Sequence, residues 1–261
     1  MKKIILLSLL SVSVFSQTSN IFEPIDVFDL EYVSNTQISP DGDKVLYQRN
    51  FNDIMTDESF SNIWLIDYDG TNNRPITTGN FKDNSPKWSN NGDKFIFKSN
   101  REGKSQIFLF DLRNNSLQKL TNFQYSIEST QWSPNDKYIL FSSFIDSDRD
   151  TLIEMPEKPK GAKWNDPPIE ISDLNYRYDS SGFRKPGEVQ FFTIPINGGT
   201  PRQISNIKPE KRAGQAEWLG NDKIIFSANL NDDSDYNTNN SEIYILSLES
   251  GKHEALTSRD G

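Results

Sequence analysis

The sequence contains no cysteine, a single histidine and no excess of basic residues. Without cysteine, the chain can form neither a disulfide framework nor a thiolate zinc site, and it has no cysteine nucleophile. The formal net charge is -9 with acidic and basic residues interspersed, whereas a nucleic-acid partner would require a basic stripe. No Gly-x-Ser-x-Gly motif occurs, and His253 lies in a turn with no activated serine nearby in the sequence. No catalytic residue is therefore predicted in this chain.

The first sixteen residues have the pattern of a secretory signal peptide. Lys2 and Lys3 precede an apolar run from Ile4 to Phe15, and Ser16 provides a small residue at a cleavage site before Gln17. The apolar run is shorter than the roughly 20 residues that span a bilayer, although an uncleaved membrane anchor is the alternative. We therefore expect residues 1–16 to be removed and the mature protein to be secreted or periplasmic.

Three sequence patterns recur along the rest of the chain. The turn-bearing pattern reads QISPDGDKVLY from Gln37, KWSNNGDKFIF from Lys87, QWSPNDKYILF from Gln131 and EWLGNDKIIFS from Glu217. A middle strand follows each of them, as IWLID from Ile63, IFLFD from Ile107, FFTIP from Phe191 and IYILS from Ile243. The closing pair is Ile76-Thr77, Leu120-Thr121, Ile204-Ser205 and Leu256-Thr257. The first two copies are separated by 44 residues at both the middle strand and the closing pair.

A period of this size with four short strands per copy is typical of a β-propeller blade. We therefore predict an all-β fold, an incomplete propeller of about four blades built from four-stranded antiparallel sheets. Residues 17–36 form a lead-in segment with a short helix from Glu23 to Tyr32. The partial propeller covers 37–261, with blades near 37–79, 86–122, 130–205 and 216–257. The last copy ends where another strand is due, so we expect the protein to continue beyond residue 261, and a complete four-bladed propeller is the alternative.

The strands that follow the turns are almost entirely apolar, as in Phe95-Ile96-Phe97. Such runs are typical of strands covered on both faces, as blade strands are by the neighbouring blades. Trp88, Trp132 and Trp218 occupy one repeat position, which is Ile38 in the first copy. We predict that these tryptophans fill the space between adjacent blades.

The third copy is interrupted by an insertion at 144–188 that is polar and rich in proline and aromatic residues. Long excursions from a repeat array lie on one face and often carry function. Within the insertion, Tyr176, Arg177, Tyr178 and Asp179 are candidate substrate contacts, and Arg177 could pair with a peptide carboxylate. The alternative is a surface flap packed by its own aromatic side chains.

One acidic cluster has part of the spacing of a calcium loop. Asp146, Asp148, Asp150 and Glu157 match its positions 1, 3, 5 and 12. The glycine expected at position 6 is Thr151, and prolines interrupt the helix that should follow. The cluster is a weak metal candidate, and we expect no metal and no cofactor.

The repeats resemble the propeller repeats shared by TolB, the periplasmic protein of the Tol-Pal system, and by the prolyl oligopeptidase superfamily of serine peptidases. Two segments favour the peptidases of the acylaminoacyl-peptidase-like branch, namely IDVFDLEYVSNTQISPDGDKVLY at 25–47 and ISDLNYRYDSSGF at 171–183. The resemblance covers essentially the whole mature chain. The narrower dipeptidyl-peptidase IV branch has adjacent glutamates that bind the substrate amino terminus, and this chain has no Glu-Glu pair.

The resemblance to these peptidases implies a function for the whole protein. It implies an α/β-hydrolase domain after the propeller, with the serine, aspartate and histidine of the active site, and a propeller that admits only short peptides. The partners would then be short peptide substrates and that C-terminal domain, with no nucleic acid and no membrane contact after signal cleavage. The alternative is a non-enzymatic, TolB-like periplasmic propeller that binds a protein. Only about twenty residues lie between Gln17 and the first repeat turn, which counts against this alternative because TolB-like proteins carry a separate small domain before the propeller.

Overall fold

The chain folds into four antiparallel sheets of four strands each, with the strands of each sheet adjacent in chain order. The computed structural model describes residues 21–147, 155–165, 168–171, 174–179, 182–208 and 212–259. Within these residues, no helix has the length and apolar character that a membrane span requires. The predicted all-β class of four-stranded sheets is confirmed.

Each sheet consists of a central hairpin flanked by a first and a last strand, and the last strand is the shortest of the four. The first sheet comprises β1 (Tyr32–Ile38), β2 (Lys44–Asp53), β3 (Glu58–Asp67) and β4 (Arg74–Pro75). The second comprises β5 (Asn84–Trp88), β6 (Lys94–Ser99), β7 (Gln106–Asp111) and β8 (Ser116–Lys119). The third comprises β9 (Ile127–Trp132), β10 (Tyr138–Asp146), β13 (Gly187–Pro195) and β14 (Arg202–Gln203). Between β10 and β13, a separate two-stranded hairpin is formed by β11 (Arg177–Tyr178) and β12 (Gly182–Phe183). The fourth comprises β15 (Arg212–Leu219), β16 (Lys223–Asn229), β17 (Glu242–Ser247) and β18 (His253–Ala255).

A buried serine fixes the tight turn between the first and second strands of the first three sheets. The hydroxyl of Ser39 accepts a hydrogen bond from the main-chain N–H of Lys44 at 2.9 Å. Ser89 and Ser133 occupy the same place and accept from residues five positions later, at 3.1 and 2.9 Å. The serine hydroxyl thus gives a main-chain N–H of the turn a hydrogen-bond acceptor, and this bond stabilises the turn.

In the third sheet, an aspartate occupies the left-handed turn position where the earlier copies have glycine. Gly42 and Gly92 have φ values of 83° and 73°, and Asp136 has a φ of 55°. Its carboxylate accepts hydrogen bonds from the main-chain N–H groups of Asn90 and Asn91, at 2.8 and 3.0 Å. These bonds join the turn of the third sheet to the turn of the second, and they offset the cost of the left-handed conformation.

Three apolar clusters fill the spaces between successive sheets. Strand β6 contributes to two of them, because its side chains alternate between the two faces. Phe95 and Phe97 pack towards the first sheet, Ile96 packs towards the third, and all three are fully buried. A third cluster, which includes Phe191 and Phe226, lies between the third and fourth sheets. The prediction that these strands are covered on both faces is confirmed for β6 and β10, whereas β2 and β16 each have one face that is less buried.

The repeated tryptophans lie between the sheets, as predicted, and two of them also form hydrogen bonds. The indole N–H of Trp88 donates to the carbonyl of Gln37 at 3.0 Å, and that of Trp132 donates to the carbonyl of Lys87 at 2.9 Å. Each bond therefore runs from one sheet to the first strand of the preceding sheet. Trp218 packs against the third cluster, but its buried indole nitrogen has no hydrogen-bond partner among the described residues. Ile38, the first copy of this position, is 71% exposed.

A polar clasp closes the outer part of the second, third and fourth sheets. In the second sheet, the Thr121 hydroxyl accepts from the main-chain N–H of Ile107 at 2.9 Å and donates to the side-chain oxygen of Gln106 at 2.9 Å. That same oxygen accepts from the main-chain N–H of Phe123 at 2.7 Å. Gln190 with Ser205 forms the third clasp. The clasp fixes the chain as it leaves the fourth strand towards the next sheet.

In the fourth sheet, a carboxylate replaces the carboxamide of the clasp. Glu242 accepts from the Thr257 hydroxyl and from the main-chain N–H of Arg259, the latter at 2.7 Å. The Thr257 hydrogen bond is the main cause that lowers the pKa of this carboxyl below its ordinary value of 4.5. The clasp of the fourth sheet therefore depends on an ionised side chain, whereas the second and third do not.

The helix before the first sheet is shorter than predicted. The sequence predicts a helix from Glu23 to Tyr32, but the structure has a 3₁₀ helix at Pro24–Asp29, and Tyr32 already pairs with Asn50 in the first sheet. Glu23 and Asp26 form a capping box at its start. The strand prevails at Tyr32 because its main chain finds partners on β2, which a further helical turn would break.

The ionised clasp of the fourth sheet predicts a specific pH dependence of stability. Because the folded pKa of Glu242 lies below its unfolded value, its contribution to stability is present above that value and is lost as the pH falls through the folded pKa. We expect wild-type stability to decrease more than that of Glu242→Gln between about pH 6 and about pH 3.5, as measured by urea unfolding. Glu249→Gln, at an exposed position in the turn between β17 and β18, is the control. Parallel pH profiles for the wild type and Glu242→Gln would contradict this assignment.

Candidate functional site

The first strands of the sheets form the inner wall of the open series. Strand β1 contacts β5, β5 contacts β9, and β9 contacts β15, and these contacts link all four sheets. The fourth strands make no comparable contacts with one another among the described residues. The sheets therefore converge at their first strands, which in a propeller surround the central channel.

Two lysines lie side by side on this inner part of the second sheet. Lys87 on β5 is directly opposite Ile96 on β6, and Lys98 is two residues beyond Ile96. Since side chains two residues apart share a face, both lysines lie on the face with Ile96, which packs towards the third sheet. The register of β5 and β6 shifts between Asn84 and Lys87, so Lys98 pairs with Asn84. We call Lys87 and Lys98 the lysine pair.

Carboxylates from the next two sheets are close enough to influence the lysine pair. Burial lowers the pKa of Lys87, and the charge of Glu217 on β15 partly opposes this change. Burial also lowers the pKa of Lys98, where Glu128 on β9 opposes the change and Lys87 adds to it. Burial raises the pKa of Glu128, and Lys98 opposes that increase. The inner wall is therefore a site of partly desolvated charges of both signs.

The lysine pair is not neutralised by direct ion pairs. The Lys98 ammonium donates to the main-chain carbonyl of Glu128 at 2.5 Å rather than to its carboxylate. Among the described residues, neither lysine has a carboxylate oxygen within 4.0 Å, and the Lys87 nitrogen has no hydrogen-bond acceptor. Partly desolvated ionisable groups that converge at one place make this inner wall a candidate functional site.

The predicted substrate contacts in the insertion are brought together in part. The Tyr176 ring stacks on the ring of Phe183, with 6.3 Å between centroids, and the Arg177 guanidinium lies 5.9 Å from the centre of the same ring. The backbone of Tyr178 lies in β11, and Asp179 is an exposed residue of the following turn. Phe183 thus organises Tyr176 and Arg177, and both side chains remain exposed.

The hairpin of β11 and β12 lies near the fourth sheet. The side-chain amide of Asn175 donates to the carbonyl of Asp235, in the loop between β16 and β17, at 3.5 Å. The insertion leaves the third sheet between its second and third strands, which is the end of the sheets where Lys98 lies. Within the insertion predicted for 144–188, Phe144 to Asp146 still pair with Gly187 to Val189 in the third sheet.

The calcium candidate is only partly covered by the structure. Asp146 ends β10 and Glu157 lies in the insertion, whereas Asp148 and Asp150 lie outside the described residues. In the part of the chain that the structure describes, no three histidine or acidic side chains are grouped as metal ligands. His253 lies on the outer strand β18 with its ring edge-on to Tyr244, at 5.7 Å.

A cleft of ≈ 450 Å³ opens between the third and fourth sheets at the end opposite the insertion. The Arg202 guanidinium donates to the carbonyl of Leu248 at 2.6 Å and so joins the two sheets at the cleft. Its lining also includes Tyr138, Thr193, Asp222 and Glu249. The bond to a main-chain carbonyl gives Arg202 a role in sheet packing.

The sequence did not single out the lysine pair. Lys87 occupies the repeat position that is Gln37, Gln131 and Glu217 in the other copies, directly before the tryptophan or isoleucine. Polar residues at one position of an otherwise apolar repeat indicate that this position faces solvent and not the core. That signal becomes informative only once β5 is known to be an inner strand.

The four-stranded sheets, stacked face to face and converging at their first strands, define a segment of a β-propeller. Residues 31–158 match the family model described as the TolB beta propeller domain. The chain is 26% identical over 226 residues to the uncharacterized peptidase YuxL of Bacillus subtilis, an alignment that covers 85% of this chain and 33% of that protein.

Solved structures show the same fold. The uncomplexed acylaminoacyl peptidase of Pyrococcus horikoshii matches 89% of this chain and 33% of its own, with a TM-score of 0.65 and 19% identity. TolB of Acinetobacter baumannii matches 87% of this chain and 44% of its own, with a TM-score of 0.51 and 16% identity. The resemblance to the propellers of these peptidases and of TolB is therefore confirmed. The chain spans about one third of the length of the peptidases that it matches.

Burial of Lys87 without a partner predicts that this residue decreases stability. Its folded pKa lies below the unfolded value of 10.5, so the penalty is fully present below the folded pKa and disappears as the pH rises towards 10.5. We expect Lys87→Met to raise the melting temperature at neutral pH by about 1–3 °C, because methionine has a similar length and no charge. The exposed Lys137→Met is the control. A lower melting temperature for Lys87→Met would show that the lysine supports the fold.

Proposed function

We propose that this chain is the substrate-gating propeller of a larger serine peptidase that cleaves short peptides. The observation that carries the proposal is the similarity to a peptidase over 85% of this chain, confined to about one third of that relative. A catalytic domain in the remaining two thirds would account for the absence of a nucleophile motif here. The chain would then restrict access to chemistry carried out elsewhere in the protein.

The arrangement of charged groups supports a gating role. A rigid array of stacked sheets holds the lysine pair, Glu128 and Glu217 on one inner wall. Peptides carry charged termini, so a wall with both signs of charge can attract them by electrostatic complementarity. The insertion, with Tyr176 and Arg177 exposed on Phe183, provides a second surface for peptide contact.

The proposal includes the location of the protein. The basic start and short apolar run of residues 1–16 support removal of a signal peptide and a secreted or periplasmic protein. Short peptides in such a compartment would be its substrates. No cofactor is required by this chemistry, since a serine peptidase uses only protein side chains.

A second candidate is a non-enzymatic propeller that binds a protein partner in the manner expected of TolB-like proteins. The match of residues 31–158 to the TolB beta propeller domain favours it. The higher TM-score with the acylaminoacyl peptidase, 0.65 against 0.51 for TolB, favours the peptidase. We therefore keep the peptidase as the main proposal.

The chain by itself is expected to be catalytically inert. Purified chain, incubated with acyl-peptide and dipeptide chromogenic substrates, should show no turnover above the buffer rate, because it contains no nucleophile motif. The same protein in which the chain is followed by its downstream reading frame is the comparison. Turnover by the chain alone that is sensitive to serine-directed inhibitors would overturn the assignment of catalysis to another domain.

Arg177 is expected to contribute to peptide binding and little to stability. In the full-length enzyme, Arg177→Ala should raise the Michaelis constant several-fold and change the unfolding free energy by less than about 1 kcal/mol, since an exposed cation–π contact contributes about 0.5–1 kcal/mol. Arg184→Ala, in the same hairpin region, is the control. A large loss of stability with unchanged kinetics would instead assign Arg177 to packing of the insertion.

A further inference from the structure

Lys87 and Lys98 are partly buried, and among the described residues neither ammonium group has a carboxylate oxygen within ion-pair distance. Lys87 and Lys98 share the face of the second sheet that is turned to the third sheet, beside the fully buried Ile96. Two like charges on one face repel each other, and partial burial increases this repulsion. Glu128 and Glu217 offset part of this repulsion from a distance, and a bound anion in direct contact with the ammonium groups would offset more of it.

Among the described residues, the groups around the lysine pair leave the N–H donors of Lys87 without an acceptor. Lys98 is held by the carbonyl of Glu128, which directs its ammonium towards the third sheet. Lys87 has no acceptor among the described residues, so all three of its N–H groups are available. A single acceptor group placed between the two ammonium groups would satisfy Lys87 and reduce the repulsion within the pair.

We propose that Lys87 and Lys98 together bind a carboxylate group of a peptide at the inner wall, between the second and third sheets. The carboxylate belongs to the free carboxyl terminus of a peptide or to an acidic side chain. The assignment of the ligand as a peptide rests on the proposed function, whereas the assignment of a carboxylate site rests on the geometry of the lysine pair.

The surroundings favour a carboxylate over a more highly charged anion. Glu128 and Glu217 act electrostatically on the two lysines and would repel a phosphate dianion more strongly than a monoanion. The net charge of -9 on the chain has the same effect at longer range. The two glutamates also provide acceptors for an ammonium group of the same peptide.

The test measures binding to the chain of three small peptides by calorimetry and by NMR of the lysine side chains. N-acetyl-Ala-Ala has a free carboxyl terminus, N-acetyl-Ala-Ala-amide has no carboxylate, and N-acetyl-Asp-Ala-amide has only a side-chain carboxylate. We expect one or both carboxylate peptides to bind at least about tenfold more tightly than the amide and to shift the signals of Lys87 and Lys98. The comparison of the two carboxylate peptides distinguishes a terminal from a side-chain carboxylate.

Variants then connect the binding to the lysine pair. Lys87→Gln and Lys98→Gln should each weaken carboxylate-peptide binding by roughly tenfold and leave the amide peptide unaffected, whereas the exposed Lys137→Gln should change neither. Equal binding of all three peptides to the wild type, or equal binding of a carboxylate peptide to wild type and Lys87→Gln, would overturn the proposal. Because glutamine removes a charge that is costly to bury, loss of folding is not expected to obscure the result.

The peptidase proposal and the carboxylate site can be contradicted by different results. Hydrolysis of short peptides by the full-length protein with no preference for a carboxylate would leave the peptidase proposal in place and contradict the lysine site. Carboxylate binding by the chain, together with a full-length protein that hydrolyses no peptide, would support the site and contradict the peptidase proposal.

Discussion

The structure depends on the mutual burial of sheet faces. A four-stranded sheet whose middle strands are apolar on both sides is unstable in water, and each sheet here is stabilised by its neighbours. The second sheet shows this most clearly, because β6 directs phenylalanines to one neighbour and an isoleucine to the other, all fully buried. At about 25 cal/mol per Å² of apolar surface, such faces supply most of the free energy that opposes chain entropy. The polar features, namely the serine turns, the clasps and the tryptophan bonds, set the order and spacing of sheets that this burial holds together.

Much of this architecture can be predicted from the sequence because it is periodic. A 44-residue spacing, a turn motif and a closing pair each specify one place in the sheet, and together they define strand order and the buried faces. The prediction was less accurate at the lead-in helix, where pairing of Tyr32 with Asn50 competes with local helix signals. Contacts between repeats could not be predicted from the sequence, for a different reason. That Asp136 would accept bonds from the turn of another sheet follows from how sheets stack, which no local pattern encodes.

The candidate site was predicted less well than the fold. Substrate contacts were predicted in the insertion because it departs from the repeat, and the structure places Tyr176 and Arg177 on one aromatic ring. The lysine pair does not depart from the repeat in length or in pattern, and it lies within two regular strands. Its unusual property is an environment, namely partial burial with no ion pair among the described residues, and that property arises from the approach of the third sheet. Sites of this kind become visible only when the faces of neighbouring elements are known.

The tryptophan bonds give the array a direction. Each donor lies in a later sheet and each acceptor in the sheet made just before it, as with Trp88 and Gln37 or Trp132 and Lys87. Each acceptor strand is synthesised before the tryptophan that donates to it, so the second and third sheets each meet an acceptor that is already present. These sheets can therefore dock in the order in which they are synthesised, and the early segments need not remain unpaired until later ones appear.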